Sequence, residues 1–233
     1  HALLYQSFGW KLPEFIHLPL LLNKDRSKLS KRQDDVAVED YIKNGYIKDA
    51  LINFVSLLGW HGSDNKEIYN INELIENFSI DRIRSSGAVF DIKKLKWFNQ
   101  EYIKTTDSET LLLLVSPLIP DKWDITTQMI DLVKESIETL NDFKDKVSIF
   151  FEYTPLEIET NSSLFPPEIY NFLDNIKTTL QSSDATTSET FKTVINELKS
   201  ANNLSINVWK PIRIALTGHE HGPDIGKVAE ILG

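Results

Sequence analysis

Residues 38–60 read Val-Glu-Asp-Tyr-Ile-Lys-Asn-Gly-Tyr-Ile-Lys-Asp-Ala-Leu-Ile-Asn-Phe-Val-Ser-Leu-Leu-Gly-Trp, and this stretch decides the fold class. Apolar residues at Ile47, Ala50, Leu51, Phe54, Val55 and Leu58 recur at i, i+3, i+4, the stripe of a helix that packs one face on a core. Gly45 and Gly59 punctuate the stretch, because glycine enters the left-handed conformation that closes helices. The spacing predicts one helix over Val38–Asn44 and a second over Ile47–Leu58. The paired acids Asp34-Asp35 and Glu39-Asp40 are placed as helix-start charges, favoured by the helix dipole, and not as catalytic carboxylates.

Helical patterning continues on both sides. Ala2–Phe8 reads as the end of a helix closed by Gly9. Phe15–Leu22 is an apolar run broken by His17 and Pro19, more strand-like than helical. Asn23–Ser27 is a polar turn leading into a short basic loop, Lys28–Arg32. Asn72–Phe78 is predicted as a short helix, and Asp91 as the cap of a helix reaching Lys104. In that helix Trp97 and Phe98 read as core residues. Further helices are predicted from Ser108 to Pro117, over Asp124–Leu140, from Pro166-Pro167 onward, and over Phe191–Leu198, Val208–Leu216 and Pro223–Leu232. Ser182–Ser188 is a polar linker. The chain is therefore mainly α with a few strands near its start. A domain change is expected between residues 105 and 106, where the basic half ends, giving domains 1–105 and 106–233.

The net charge of −9 argues against a general nucleic-acid binder, since phosphate contact needs Lys and Arg. Placement matters more than the total. Asn23–Arg32 holds five basic residues against one acid, and Asp81–Lys104 six against three, whereas Asn141–Thr190 holds three lysines against nine acids. The front is basic and the middle acidic. Zero cysteines exclude disulfides and thiolate metal sites. No apolar run approaches the ~18 residues needed to span a bilayer, so no membrane partner is expected. Lys outnumbers Arg 20 to 5, and 25 Ile and 16 Asn suggest an A/T-biased source. The chain opens on His1 and directly enters apolar sequence, as expected of a piece of a longer protein.

Lys28-Leu29-Ser30-Lys31-Arg32 is the first chemical signal. Three cations and a hydroxyl follow an extended segment and a tight turn, an arrangement able to present donors to a polyphosphate as a phosphoryl bond breaks. The pentapeptide alone is also an ordinary solvated loop. Arg82 and Arg84 are candidates for surface ion pairs or for the backbone of an RNA in equal measure. His219-x-His221 lacks a supporting carboxylate or thiol cluster and reads as a polar turn, so no metal site is expected.

Several separated blocks, in order, resemble the bacterial and organellar glutamyl-tRNA synthetases, class I aminoacyl-tRNA synthetases. They are ALLYQSFGW from Ala2, FIHLPLLL from Phe15, KLSKR from Lys28, VEDYIKNGYIKDALINFVSLLGW from Val38, AVFD from Ala88, KLKW from Lys94 with Asn99 in place, and PIRIALTG from Pro211 with Gly222-Pro223 after it. The resemblance implies the remainder of the class I catalytic and stem-contact region, a few strands plus helices, followed by an all-helical anticodon-binding domain. It implies a glutamate–tRNA ligase, forming glutamyl-adenylate from glutamate and ATP and passing glutamate to tRNA-Glu. KLSKR takes the place of the KMSKS-type signature, with Leu29 at the Met position. Lys31 matches the lysine that contacts ATP phosphates, and Lys28, Ser30 and Arg32 its neighbours in the catalytic loop. His17 and Leu18 are candidates to line the adenine. Arg213, Gly222, Pro223 and Ile225 match positions that touch the anticodon loop; the alternative is that Arg213 caps its own helix and Ile225 is core. The family's HIGH-type signature and glutamate-gripping residues, with most of the Mg contacts, are expected upstream, and this chain alone is expected to be inactive. It is expected to be monomeric and mitochondrial, with bacterial cytoplasm as the alternative. The competing functions are a non-catalytic tRNA-binding protein, which has no need of an ATP loop, and a helical interaction scaffold.

Overall fold

The computed structural model describes residues 1–29, 37–152, 165–181 and 187–233. They form two compact units, His1–Tyr102 and Ile103–Gly233.

The first unit opens with α1 (Ala2–Ser7), closed by Gly9 at φ +67°. Residues 10–20 belong to no helix or strand, and only β1 (Leu21–Leu22) forms a ladder. The strand predicted over Phe15–Leu22 is thus confined to its last two residues. Pro19 lacks a ladder donor. β1 pairs in parallel with β2 (Ala88–Val89), Leu21 opposite Ala88 and Leu22 opposite Val89. The Ala88 and Phe90 amides donate to the Leu20 and Leu22 carbonyls at 3.0 and 2.8 Å.

Between the strands lie α2 (Val38–Lys43), α3 (Lys48–Gly59) and α4 (Ile71–Asn77). Gly45, at φ +81°, makes the turn between the first two as its position predicts. After β2 comes α5 (Ile92–Thr105), which runs through the division at Tyr102. The α3 stripe supplies Leu51 and Phe54 to a core with Tyr46, Leu95 and Phe98. Phe54 meets Phe98 and Phe90 edge-on at 5.8 and 5.1 Å, a favoured aromatic geometry. Phe98 is fully buried, but its neighbour Trp97 is 40 % exposed, so the pairing of both with the core does not hold. Adjacent helical positions point about 100° apart, and the buried face of α5 runs from Phe98 to Asn99 and leaves Trp97 at its margin.

Two buried carboxamides close the unit. Asn99 accepts the Ile47 amide at 2.7 Å and donates to the Gly45 carbonyl, tying α5 to the α2–α3 turn. Asn53 accepts the Tyr69 amide at 2.8 Å and the Tyr102 hydroxyl at 3.0 Å. Each satisfies backbone groups that would otherwise be stranded without water.

The second unit holds α6 (Ser108–Val115), α7 (Thr127–Val133), α8 (Asp142–Val147), α9 (Pro167–Gln181), α10 (Ser188–Ala201), α11 (Trp209–Thr217) and α12 (Ile225–Leu232). Its main core gathers Ile169, Phe172, Ile176, Phe191, Ile195, Val208, Ile212, Ile225 and Val228. The single long helix expected over Asp124–Leu140 does not form. α7 tightens into a 3-10 turn at Lys134–Ser136 and Ile137 is extended. Asp142 reaches back to accept the Glu138 and Thr139 amides at 3.1 and 2.8 Å, offering those donors an alternative to the helix. Side chains Asp107, Thr126, Thr187 and Asp224 accept amides at the starts of α6, α7, α10 and α12. Most of the predicted linker, residues 182–186, lies outside the described residues.

α10 and α12 approach closely at Gly226. A Cβ there would sit 2.5 Å from Ser188 Oγ, 2.6 Å from Lys192 Cε and 3.1 Å from the Ser188 carbonyl. Lys192 also pairs with Asp224 at 2.8 Å, and Glu230 accepts the Ser188 amide at 3.1 Å.

Candidate functional site

The basic stretch begins in a hairpin of the first unit whose geometry follows from its polar residues. Leu22 and Lys28 form an antiparallel bridge, and the Leu29 amide donates to the Leu21 carbonyl at 3.0 Å. The turn between them closes with the Asn23 amide on the Ser27 carbonyl at 2.8 Å. Asp25 accepts both the Ser27 amide, 2.8 Å, and the Ser27 hydroxyl, 2.6 Å. This Asx-type arrangement holds Arg26 at φ +67°, a conformation rare outside glycine, asparagine and aspartate. The Ser27 hydroxyl and amide hold the exposed Asp25 carboxyl below its ordinary pKa.

Lys24 crosses from this turn to Asp91 at the start of α5, Nζ to Oδ1 3.0 Å. Asp91 also accepts the Lys93 amide at 2.9 Å, the capping role its sequence position predicts. The Lys24 ammonium and then the Lys93 amide depress the Asp91 carboxyl. An open cavity of about 360 Å³ flanks the hairpin, lined by Leu20, Leu21, Leu29, Tyr41, Val55 and Phe90 with Lys28 among them. It is apolar apart from Lys28 and the Tyr41 hydroxyl.

The predicted loop residues divide. Lys28 is described and exposed; Ser30, Lys31 and Arg32 lie outside the described residues, as do Asp34 and Asp35. His17 is exposed, and Leu18 is 70 % exposed on the irregular segment that passes Gly59. Arg82 belongs to a 3-10 turn, Ile80–Arg82, and is half-buried. The Arg84 amide donates to the Gly59 carbonyl at 2.8 Å, while its exposed side chain enters a cleft of about 220 Å³ with Lys94 and Asp91. Arg84 makes no ion pair among the described residues.

In the second unit, Gly218 ends α11 at φ +74°, with its amide on the Ile214 carbonyl at 2.8 Å. Thr217 Oγ1 donates to the Arg213 carbonyl at 2.8 Å and accepts the His219 amide at 3.2 Å. Lys210 pairs with Glu220 at 2.7 Å and lowers that carboxyl's pKa. Arg213 Nη1 donates to the Pro223 carbonyl at 2.5 Å. Arg213 therefore does not cap its own helix; it spans the turn from α11 to the start of α12. A Cβ on Gly222 would stand 3.3 Å from Arg213 Nη1, so glycine lets the guanidinium lie close to the backbone. Among the described residues the rest of that planar five-donor group has no acceptor. Gly222 is exposed and Pro223 half-buried. Ile225 is 5 % exposed within the core, so its side chain packs and does not face outward. His219 and His221 belong to this turn, and the described residues contain no cluster of three or more His, Asp or Glu able to hold a metal ion.

Lys24–Asp91 and Asn99–Ile47 had no signal in the sequence, because each joins residues far apart in the chain. Asp91 was legible only as a cap.

Residues 1–97 match the catalytic domain of class I tRNA synthetases (E and Q), and residues 92–233 match the anticodon binding domain. The chain is 39 % identical to a glutamate–tRNA ligase of Clostridioides difficile and 35 % to one of Alkaliphilus metalliredigens, each match covering 100 % of this chain and 50 % of the relative. A solved glutamate–tRNA ligase from Elizabethkingia meningosepticum, in complex with its amino acid, superposes with a TM-score of 0.88 at 29 % identity, over 100 % of this chain and 51 % of that one. The chain spans about half the length of the curated relatives it matches. With a class I catalytic-domain segment leading into an anticodon-binding domain, and both matches together running its full length, the chain belongs to the glutamyl-tRNA synthetase family of class I aminoacyl-tRNA synthetases.

Proposed function

We propose that this chain works as part of a glutamate–tRNA ligase, supplying the signature loop for ATP-dependent glutamate activation and the surface that reads tRNA-Glu. The observation that carries the reading is the braced hairpin, which presents Lys28, the first residue of the sequence KLSKR, within a class I catalytic segment. A non-catalytic tRNA binder has no use for it.

In this reading Lys31 places an ammonium on the ATP phosphates and stabilises the charge that grows on pyrophosphate as glutamyl-adenylate forms. Lys28, Ser30 and Arg32 flank it in the loop. His17 and Leu18, on the exposed segment before β1, lie against the adenine. Mg accompanies ATP. Arg213 presents its free guanidinium edge, beside the Gly222-Pro223 backbone, to an anticodon base; Ile225 serves only by anchoring that turn in the core. Arg84, and less directly Arg82, meet the RNA backbone. The working protein is a monomer of the mitochondrial matrix.

The test is Lys31→Ala in the full-length protein. ATP–pyrophosphate exchange with tRNA present falls by about 10²–10³, the usual cost of one preorganised charge contact, while thermal unfolding is unchanged. Near-normal exchange overturns the assignment.

A further inference from the structure

The hairpin that carries the basic loop is held at two separated points. At its inner end β1 is laddered to β2, and the Leu22–Lys28 bridge doubles the chain back beside it. At its outer end, in the turn braced by Asp25 and Ser27, Lys24 pairs with Asp91, the only ion pair that the hairpin makes among the described residues. Asp91 is not a free surface acid. The Lys93 amide fixes its carboxylate at the start of α5, and the Leu95 amide donates to its carbonyl at 3.0 Å. α5 is in turn locked to the core by Leu95 and Phe98 and to the α2–α3 turn by Asn99. The hairpin and the α2–α3 turn are thus both tied to α5, the first through Lys24–Asp91 and the second through Asn99.

We propose that Asp91 is a positioning residue for ATP. By pinning Lys24 it fixes the tilt of the hairpin, and with it the direction in which Lys28 is presented to the phosphates. Lys24 acts here as a brace and not as a phosphate ligand. The inference rests on the reading of KLSKR as the ATP-phosphate loop.

Asn replaces Asp as a helix cap with little loss, so Asp91→Asn removes the charge while keeping the start of α5. The pair is exposed, 55 % and 40 % for the two side chains, so the effect is modest. Asp91→Asn raises KM for ATP in exchange about two- to five-fold, the range an exposed pair supports, with kcat within about two-fold and thermal unfolding unchanged. The difference from wild type narrows in high salt as the pair is screened. Amides 23–29 exchange faster in Asp91→Asn without any ATP present. Lys24→Met has the same KM effect, and combining the two substitutions adds nothing.

An unchanged KM in Asp91→Asn overturns the proposal, as does a further loss when Lys24→Met is added, since that would make Lys24 a ligand in its own right. A fall in thermal stability matching the loss of activity would reduce Asp91 to a cap. Lys31→Ala in the same assay separates the two levels. If it is silent, the ATP-loop reading fails and takes this inference with it. If it abolishes exchange while Asp91→Asn is silent, only the brace fails.

Discussion

Gly226→Ala tests how tightly α10 and α12 are fitted together. The added methyl meets three atoms of α10, Ser188 Oγ at 2.5 Å, Lys192 Cε at 2.6 Å and the Ser188 carbonyl at 3.1 Å. The hydroxyl and the lysine stem can rotate away, but rotating Lys192 disturbs its pair with Asp224. The carbonyl is part of the α10 backbone and moves only if the helices separate. Overpacking of this kind costs about 1–3 kcal/mol. Against it stands the gain of about 1 kcal/mol when alanine replaces glycine inside a helix. The exposed Lys192–Asp224 pair adds at most ~1 kcal/mol to the loss. The expected balance is a destabilisation of about 1–2 kcal/mol. For a unit of this size that lowers the melting temperature by roughly 3–8 °C. Calorimetry on the chain, with a urea titration to check that the m-value is unchanged, measures it. Adding Ser188→Ala should recover part of the loss by removing the nearest obstacle. A melting temperature above wild type for Gly226→Ala would mean that helix propensity outweighs contact, and would refute the close approach of the two helices.

Asn99→Leu keeps the volume of a buried side chain but strands the Ile47 amide and the Gly45 carbonyl, so unfolding by urea should show a loss of about 2–4 kcal/mol in the first unit. Tyr69 and Tyr102 are both pushed up to about 12, mainly by burial. Their neutral forms therefore stabilise the fold fully below pH 10, and that contribution disappears as pH rises from about 10 to 12. Phenolate absorbance should show these tyrosines titrating late, and together with unfolding; an early titration of all tyrosines would contradict the packing. In the other direction Asp91, Asp107 and Asp131 are depressed by hydrogen bonds, from Lys24, Thr110 and Lys134 first. Their contribution is present above the ordinary carboxylate range and lost as pH falls below about 4, so the urea midpoint should be flat from pH 7 to 5 and drop below that. Arg213→Ala should weaken binding of a tRNA-Glu anticodon hairpin by about 1–3 kcal/mol relative to a hairpin with an unrelated loop. Equal loss on both hairpins would make it a general phosphate contact.

The helical character of the chain was legible wherever one face is apolar and a stop residue follows. α3, marked by a single stripe, is the clearest case of an element, and Gly45, whose positive φ closes α2, the clearest case of an end. The reading failed where a distant polar group competes with the local pattern. Asp124–Leu140 carries helical periodicity, yet Asp142 captures the amides that the helix needed. Trp97 shows the limit of hydrophobicity as a guide, because its immediate neighbour Phe98 occupies the buried face. At the candidate site, KLSKR and the Thr217–Gly222 turn stood out by residue type. What orients them did not. Lys24 and Asp91 are ordinary surface charges in the sequence, and Arg213's acceptor is a carbonyl, which every residue possesses.

The division between the two units falls inside α5, after Tyr102. Modular proteins are usually joined by loops, where a cut or a graft costs little. Here a splice at that point would have to rejoin the last turn of a helix to the rest of it, and a cut would strand the amides of that turn and the carbonyls they bond. Tyr102 adds a second constraint, because its hydroxyl is held by Asn53 and the Tyr69 carbonyl of the first unit. The segment through Thr105 is therefore inherited with the first unit as a block. Exchange of the helical second unit among relatives, in evolution or in the laboratory, has its tolerant joint at Thr106–Asp107, after the helix has ended and before the cap of α6 begins its own.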